Sequence, residues 1–167
     1  MKKPLHFVII ASILLFSISS CEKDEHNWTP IKTVRLGVVS IKVPETYKYI
    51  INIDSEIQLN NGFDGNSIVL LKEALTGRTE EQVFQTKTDS YPYGTPTASD
   101  TTLLGRNTLK LEYSIPVAPG IGGDHSMKSF IFIEDDFVYT LEFGWTNDLH
   151  YLSLQLMYDI LQTLQIQ

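Results

Sequence analysis

Alternating apolar and polar positions predict several β-strands along the chain. In residues 37–43 apolar side chains occupy every second position, which is the period of a strand with one buried face. Residues 47–53 are a second extended candidate, and the apolar run at residues 67–73 predicts a buried strand. Residues 128–133 and 137–143 are two β-rich runs around an acidic turn. This pattern is typical of a β-hairpin.

Two segments carry the signals of helices instead. Thr79, followed three residues later by Gln82, matches a capping box and predicts a short helix that starts there. From Leu149 onward, apolar residues fall at positions 149, 152, 156, 157, 160 and 161, which is helical spacing. We expect this final helix to lay its apolar face on the sheet. Leu164 and Ile166 then predict a short extended tail.

Three stretches rich in Gly, Pro, Asn and Ser interrupt these elements and predict loops, at residues 60–66, 90–100 and 118–125. The order of strands, helices and loops predicts an α+β fold. Its expected architecture is a mixed, mainly antiparallel sheet flanked by helices, with a C-terminal amphipathic helix packed on the sheet.

Composition narrows the class of protein. The chain has 167 residues, of which 43% are hydrophobic and 20% charged, as expected for one globular domain rather than a disordered or multi-span protein. The formal net charge is −7, which argues against nucleic acid as a partner. A single Cys excludes an internal disulfide framework and a multi-Cys zinc site.

The first residues of the chain predict an export signal. Lys2 and Lys3 precede an apolar run at residues 7–16, which is too short to cross a membrane that needs about 20 apolar residues. This is the pattern of a secretory signal peptide. The run ends in an aliphatic residue, two small residues and the single Cys, which resembles a bacterial lipobox: Ile18, Ser19, Ser20 and Cys21.

The lipobox resemblance implies a division of the chain into three parts. Residues 1–20 would be the lipoprotein signal peptide, residues 21–32 the lipidated Cys21 with a polar tether, and residues 33–167 a single globular α+β domain. Acyl chains on Cys21 would anchor the protein in a membrane. The alternatives are a plain signal peptide or a transmembrane anchor, with a Cys there by chance.

Directly after Cys21, Lys23, Asp24 and Glu25 resemble the surface-export signal of Bacteroidota lipoproteins. If the resemblance holds, the protein lies on the outer face of the outer membrane. The alternative is a charged tether that only stays solvated, in which case the domain faces the periplasm.

The order of elements is similar to that of small secreted and lipoprotein members of the PsbP-like superfamily. Residues 39–44, 130–144 and 160–166 carry this resemblance, which is one of hydrophobic pattern rather than chemical signature. It implies a sheet flanked by helices and a binding or accessory role. Such a likeness names no ligand, because function belongs to sites and not to folds.

A search for catalytic chemistry finds little. The nucleophile elbow, the zinc-protease helix motif and the phosphate-binding loop are all missing from the sequence. Asp124 and His125 are adjacent and offer an acid and a base or two metal ligands, but sequence neighbours often point apart and no partner cluster accompanies them. Glu142 is a second candidate acid. No metal site, cofactor or catalytic residue is therefore predicted.

Three aromatic residues are candidates for ligand binding. Tyr91 and Tyr93 flank a proline in a predicted loop, where exposed tyrosines can stack on sugars or peptides. Trp145 lies between the hairpin and the final helix. For all three, the alternative is a packing role: the tyrosines would fix the loop on the core, and Trp145 would act as a staple before the helix.

Together these features predict an outer-membrane lipoprotein that is a non-enzymatic binding or accessory module of the cell envelope. Its partners would be the membrane, through acyl chains on Cys21, and an envelope protein or extracellular ligand. The first alternative is a surface hydrolase or carbohydrate-active accessory enzyme that uses acids such as Asp124 or Glu142. A purely structural envelope protein is the second alternative.

Overall fold

A computed structural model describes residues 31–62, 66–90, 95–115, 125–146 and 150–167. These residues form ten strands and two helices. In chain order they are β1 (Ile31–Leu36), β2 (Val39–Pro44), β3 (Lys48–Ile53), β4 (Glu56–Asn60), β5 (Ser67–Ala74), α1 (Glu80–Asp89), β6 (Thr97–Leu103), β7 (Arg106–Ile115), β8 (His125–Glu134), β9 (Phe137–Thr146), α2 (His150–Gln162) and β10 (Gln165–Ile166).

Seven of the strands form one antiparallel sheet in the order β3-β4-β5-β9-β8-β7-β6. Two meanders build it, β3 to β5 and β6 to β9, and they join where β5 pairs with β9. The predicted hairpin is confirmed as β8 and β9, with Glu134 opposite Phe137 at its closed end. The chain therefore returns from β5 to the far edge of the sheet before β6, and α1 lies on this connection.

The remaining three strands form a small antiparallel sheet in the order β1-β2-β10. Its two edge strands come from opposite ends of the described chain. The backbone amide of Lys42 donates to Thr163 Oγ1 at 2.8 Å, across 121 positions of sequence. The amide of Gln167 donates to the carbonyl of Val38 at 3.0 Å. The C-terminal residues are thus held in the fold by backbone pairing.

The main core lies between the small sheet and one face of the large sheet. Burial of apolar surface is the dominant favourable term in folding, and this layer holds most of the buried apolar side chains. Helix α2 closes the layer, with Met157 and Ile160 each 1% exposed. The large sheet contributes aromatic side chains, among them Phe130, Phe132, Tyr139, Phe143 and Trp145.

Helix α1 covers part of the other face of the large sheet. Its Val83 is fully buried and packs with side chains of the three strands β7, β8 and β9: Leu109, Leu111, Ile131 and Val138. The predicted capping box is confirmed. Gln82 N donates to Thr79 Oγ1 at 3.3 Å, and Thr79 N donates to Gln82 Oε1 at 2.9 Å. Helix α1 therefore begins where the sequence signal places it.

The predicted class, a sheet flanked by helices in an α+β sandwich, is wrong. Strand accounts for 61% of the described residues and helix for 17%, and the strands form two sheets. The excess of strand comes from β1, β4 and β6, none of which was predicted. The predicted loop at residues 90–100 is wrong from Thr97 onward, where β6 begins. Strand β6 is polar and is held by backbone pairing with β7, which an apolar pattern does not report.

Candidate functional site

The residues singled out by sequence lie at one end of the large sheet, in the middle of β9 in the case of Glu142, or outside the described residues. His125 is the first residue of β8 and pairs with Thr146, the last residue of β9. Trp145, next to Thr146, pairs with Ser126. The other strand ends at this side of the sheet are the starts of β3, β5 and β6 and the ends of β4 and β7. Tyr91, Tyr93 and Asp124 lie outside the described residues, as do Cys21, its lipobox and the residues Lys23, Asp24 and Glu25.

A cleft of about 510 Å³ opens at this end, over the starts of β6 and β8 and the end of β7. We call it the sheet-end cleft. Hydroxyl and charged side chains dominate its lining, which consists of Thr95, Thr97, Glu112, Tyr113, Ser114, Ser126, Met127, Lys128 and Trp145. Its size is within the range of small-molecule sites, but its lining is more polar than usual for such sites.

The charges of the sheet-end cleft neutralise one another. Lys128 Nζ lies 2.5 Å from Glu112 Oε1, and Lys110 Nζ lies 3.1 Å from Glu112 Oε2. The hydrogen bond from Lys128 holds the pKa of the Glu112 carboxyl below its ordinary value, with a further contribution from Lys110. Glu112 is therefore a fixed carboxylate at neutral pH. The cleft offers hydrogen-bond donors and acceptors rather than a net charge.

Sequence reasoning missed the pairing of Glu112 with Lys128. One signal was present, because Lys110 and Glu112 are two residues apart on a strand and must share a face. The position of Lys128 opposite Glu112 depends on the register of β7 against β8. Residues 116–124 separate these two strands in sequence, so the register cannot be counted from a two-residue turn.

A second polar group lies on the opposite face of the sheet, where Glu142 sits in the middle of β9. Glu142 Oε2 accepts a hydrogen bond from Ser129 Oγ at 2.7 Å and another from the Tyr113 hydroxyl at 2.9 Å. Burial raises the pKa of the Glu142 carboxyl, against the opposing effects of the Ser129 hydrogen bond and the Lys87 charge. Tyr113 also lines the sheet-end cleft, so it connects the two polar groups.

Replacing Glu142 with glutamine is expected to flatten part of the pH dependence of stability. The raised pKa means that the folded state binds this proton more tightly than the unfolded chain does. The stability from this group is complete below the ordinary pKa of 4.5 and is lost as pH rises through the folded pKa. Glutamine stays neutral and its amide oxygen can still accept both hydroxyl hydrogen bonds. The urea midpoint of the variant minus that of the wild type should therefore increase as the pH rises.

The control for this experiment is Glu45→Gln, which removes the same charge from an exposed position. A Glu142→Gln variant whose stability differs from that of the wild type by the same amount at every pH would contradict the assigned role of burial.

Trp145 belongs to the main core and is 2% exposed. Such burial favours the packing role, and a binding role for Trp145 stays a prediction. The small void beside it, about 10 Å³, is bordered by Met157 and Ile160 of α2. Trp145 thus holds the final helix against the sheet at the cleft end.

An acidic groove of about 450 Å³ runs between α1 and strands β6 and β7. Glu80, Glu81 and Asp100 line it together with amide and hydroxyl side chains. Asn107 Nδ2 donates to Glu80 Oε1 at 3.2 Å, so one of these carboxylates is already engaged. Within the described ranges, no group of three or more His, Cys, Asp or Glu side chains could hold a metal ion.

The structure describes no helix that is both long enough and apolar enough to span a bilayer. No protein-family model matches the sequence, and no curated protein matches it.

Two solved structures are similar in fold. A protein of Bacteroides thetaiotaomicron superposes with a TM-score of 0.56 at 10% identity, over 81% of this chain and 48% of that one. The chain thus spans about half the length of the Bacteroides protein. LpqN of Mycobacterium tuberculosis, which is involved in cell envelope biogenesis, superposes with a TM-score of 0.55 at 16% identity, over 83% of this chain and 86% of LpqN. The PsbP-like resemblance is not confirmed by these likenesses. The fold of this chain is shared with bacterial proteins, one of which is involved in cell envelope biogenesis.

Proposed function

We propose that the protein is a lipid-anchored accessory protein of the bacterial cell envelope that binds a polar ligand or partner in the sheet-end cleft without transforming it. The observation that carries the binding role is the cleft itself, about 510 Å³ with hydroxyl groups around a neutralised Glu112–Lys128 pair. Such a lining suits a hydroxyl-rich or peptide ligand, which it can hydrogen-bond without demanding a particular charge.

Two further observations support the envelope location. LpqN, which has a similar fold, is involved in cell envelope biogenesis. In this chain the motif Ile18-Ser19-Ser20-Cys21 follows a short apolar run, which is the arrangement that a lipoprotein signal requires. We place the protein on the cell surface because of the resemblance to a surface-export signal at Lys23, Asp24 and Glu25.

The anchor is tested by feeding cells an alkyne-tagged fatty acid. The wild type should carry the label, and Cys21→Ser should not.

Surface location is tested by protease treatment of intact and permeabilised cells. The wild type should be cleaved on intact cells, whereas the combined variant Lys23→Ala/Asp24→Ala/Glu25→Ala should be protected until permeabilisation. Protection of both until permeabilisation would place the domain in the periplasm.

The binding role is tested with a photo-crosslinking amino acid at Ser126 in the cleft, in cells. The matched control carries the same amino acid at Tyr158, which is 48% exposed on α2 and outside the cleft. A defined adduct at Ser126 that is absent at Tyr158, and that is lost when Glu112 and Lys128 are both replaced by alanine, would support the proposal. Equal adducts at both positions would refute it.

A hydrolase is the second candidate, because Glu142 is a buried carboxyl with a raised pKa, as a general acid needs. A screen of glycan and peptide substrates with the wild type and Glu142→Gln decides between the two. Turnover that the substitution abolishes would replace the binding proposal with an enzymatic one.

A further inference from the structure

Exposed apolar side chains gather at one edge of the large sheet. Ile50 is 66% exposed, Ile53 56%, Tyr49 44% and Ile31 43%. These four are the majority of the seven exposed large apolar residues in the described part of the chain. Three of them lie on β3 and the fourth starts β1, and we call them together the β3 edge patch. Scattered apolar residues on a surface need no explanation, whereas a cluster marks a contact site.

The edge itself is poorly suited to pairing with another strand. Among the described strands β3 pairs only with β4, and its register shifts between Tyr49 and Ile51. The shift leaves Ile50 at a bulge, which is one of the devices that protect sheet edges from pairing with a further strand. A second copy of this chain is therefore not the occupant that the geometry favours.

The start of β1 is fixed beside this edge. Lys32 Nζ donates to the backbone carbonyl of Tyr47 and lies 4.3 Å from the centre of the Tyr49 ring. The chain that precedes Ile31 therefore leaves the domain next to β3. The ten residues that lead from Cys21 to Ile31 span at most about 33–36 Å when fully extended. A lipid on Cys21 would thus keep the start of β1 within about 36 Å of the bilayer.

The residue types in and beside the β3 edge patch are those found where proteins contact the water–lipid boundary. Tyr is enriched at membrane interfaces, and Lys keeps its ammonium among headgroups while its stem covers apolar surface. The patch places Tyr49 with Lys32, and Lys48 is the first residue of β3. The branched side chains of Ile50 and Ile53 are of the kind that insert at the acyl boundary.

We infer that the β3 edge patch rests on the surface of the lipid bilayer in which Cys21 is anchored. This inference rests on the proposed lipid anchor. The cleft strands β8 and β7 are four and five strands away from β3 in the sheet. At about 4.8 Å per strand, the sheet-end cleft would lie about 19–24 Å from the docked edge.

The test uses the full-length lipidated protein in vesicles of phosphatidylethanolamine and phosphatidylglycerol. A nitroxide label is attached to Ile50→Cys and, as matched control, to Tyr158→Cys on α2. Only the introduced cysteine reacts with the label, because the sulfur of Cys21 is blocked by its lipid. Collision with a water-soluble nickel complex is then compared with collision with oxygen, which concentrates in lipid. We expect the Ile50 label to be several-fold less accessible to nickel than the Tyr158 label, and more accessible to oxygen.

A second variant keeps the inference testable if the label itself disturbs β3. With the label at Ile31→Cys, the further changes Ile50→Asp and Ile53→Asp should raise nickel accessibility, because the edge would then leave the lipid. Unchanged accessibility would overturn the inference.

The outcomes separate the two proposals. Protein that floats with the vesicles while nickel reaches both labels equally would overturn the docked edge and leave the anchor intact. Protein that does not float would overturn both. Spin–spin broadening between Ile50 labels in separate molecules, together with protection from nickel, would show that a second copy covers the patch and would also overturn the inference.

Discussion

Replacing Trp145 with alanine is expected to lower the free energy of unfolding by about 3–5 kcal/mol. Trp145 is 2% exposed in the main core, and the void beside it is about 10 Å³, which barely admits one water. Removing the indole therefore leaves a cavity between β9 and α2 that Met157 and Ile160 cannot fill without moving the helix. Chemical denaturation followed by circular dichroism measures the loss.

Two controls show whether packing is the reason. Tyr158→Ala removes an aromatic ring that is 48% exposed on α2, and should change stability by no more than about 0.5 kcal/mol. Trp145→Phe keeps most of the buried apolar volume and should fall between the wild type and alanine. A Trp145→Ala variant of nearly normal stability that loses its Ser126 crosslink would instead make Trp145 a ligand contact.

Replacing Gly37 with alanine is expected to lower the free energy of unfolding by about 2–5 kcal/mol, for two separate reasons. Gly37 has a φ of +59°, where a Cβ is strained. The added Cβ would also lie 2.5 Å from the Tyr139 hydroxyl oxygen. Tyr139 is 3% exposed and stacks on Phe132 at 5.8 Å between ring centres, so it has little room to retreat.

Gly105→Ala separates the two causes. Gly105 has a φ of +77°, but nothing lies within 4 Å of the Cβ that it would gain. Its cost should be the conformational part alone, about 1–2 kcal/mol. Equal losses at Gly37 and Gly105 would show that Tyr139 moves aside without penalty, contrary to the packing described here.

The elements that the sequence predicts well are those whose signal is local. The capping box at Thr79 and Gln82 and the hairpin of β8 and β9 are fully specified by neighbouring residues. Strand β6 shows why others are missed, because its sequence TASDTTL is polar and mostly exposed at the edge of the sheet. Strand β4 is short, but its sequence EIQLN alternates, with Ile57 and Leu59 buried, so a signal was available there. In β1 a signal was available, since Val34 and Leu36 alternate and are both buried.

The contacts of the polar groups in the candidate site also divide into those with a local sequence signal and those without one. Counting back five residues on each strand from the Glu134–Phe137 pair places Ser129 opposite Glu142, so that contact could have been predicted from the hairpin. The hydrogen bond from Tyr113 and the ion pair of Glu112 with Lys128 depend on the register of β7 against β8, two strands that are well separated in sequence. Long-range pairing is what sequence patterns do not contain.

The pairing of β10 with β2 also sets the order in which the chain can finish folding. On one side Val39 and Ser40 pair with the neighbouring β1, but on the other side their partners are Ile166 and Gln165, far along the chain. Contacts so distant in sequence form late, because a long loop must close first. A chain threaded through a secretion channel from its N-terminus could not complete the small sheet until Gln165 and Ile166 had crossed. Strand β10 would thereby keep the small sheet incomplete until Ile166 has been translocated, and a substitution that breaks its pairing with β2 would be seen first as slow folding.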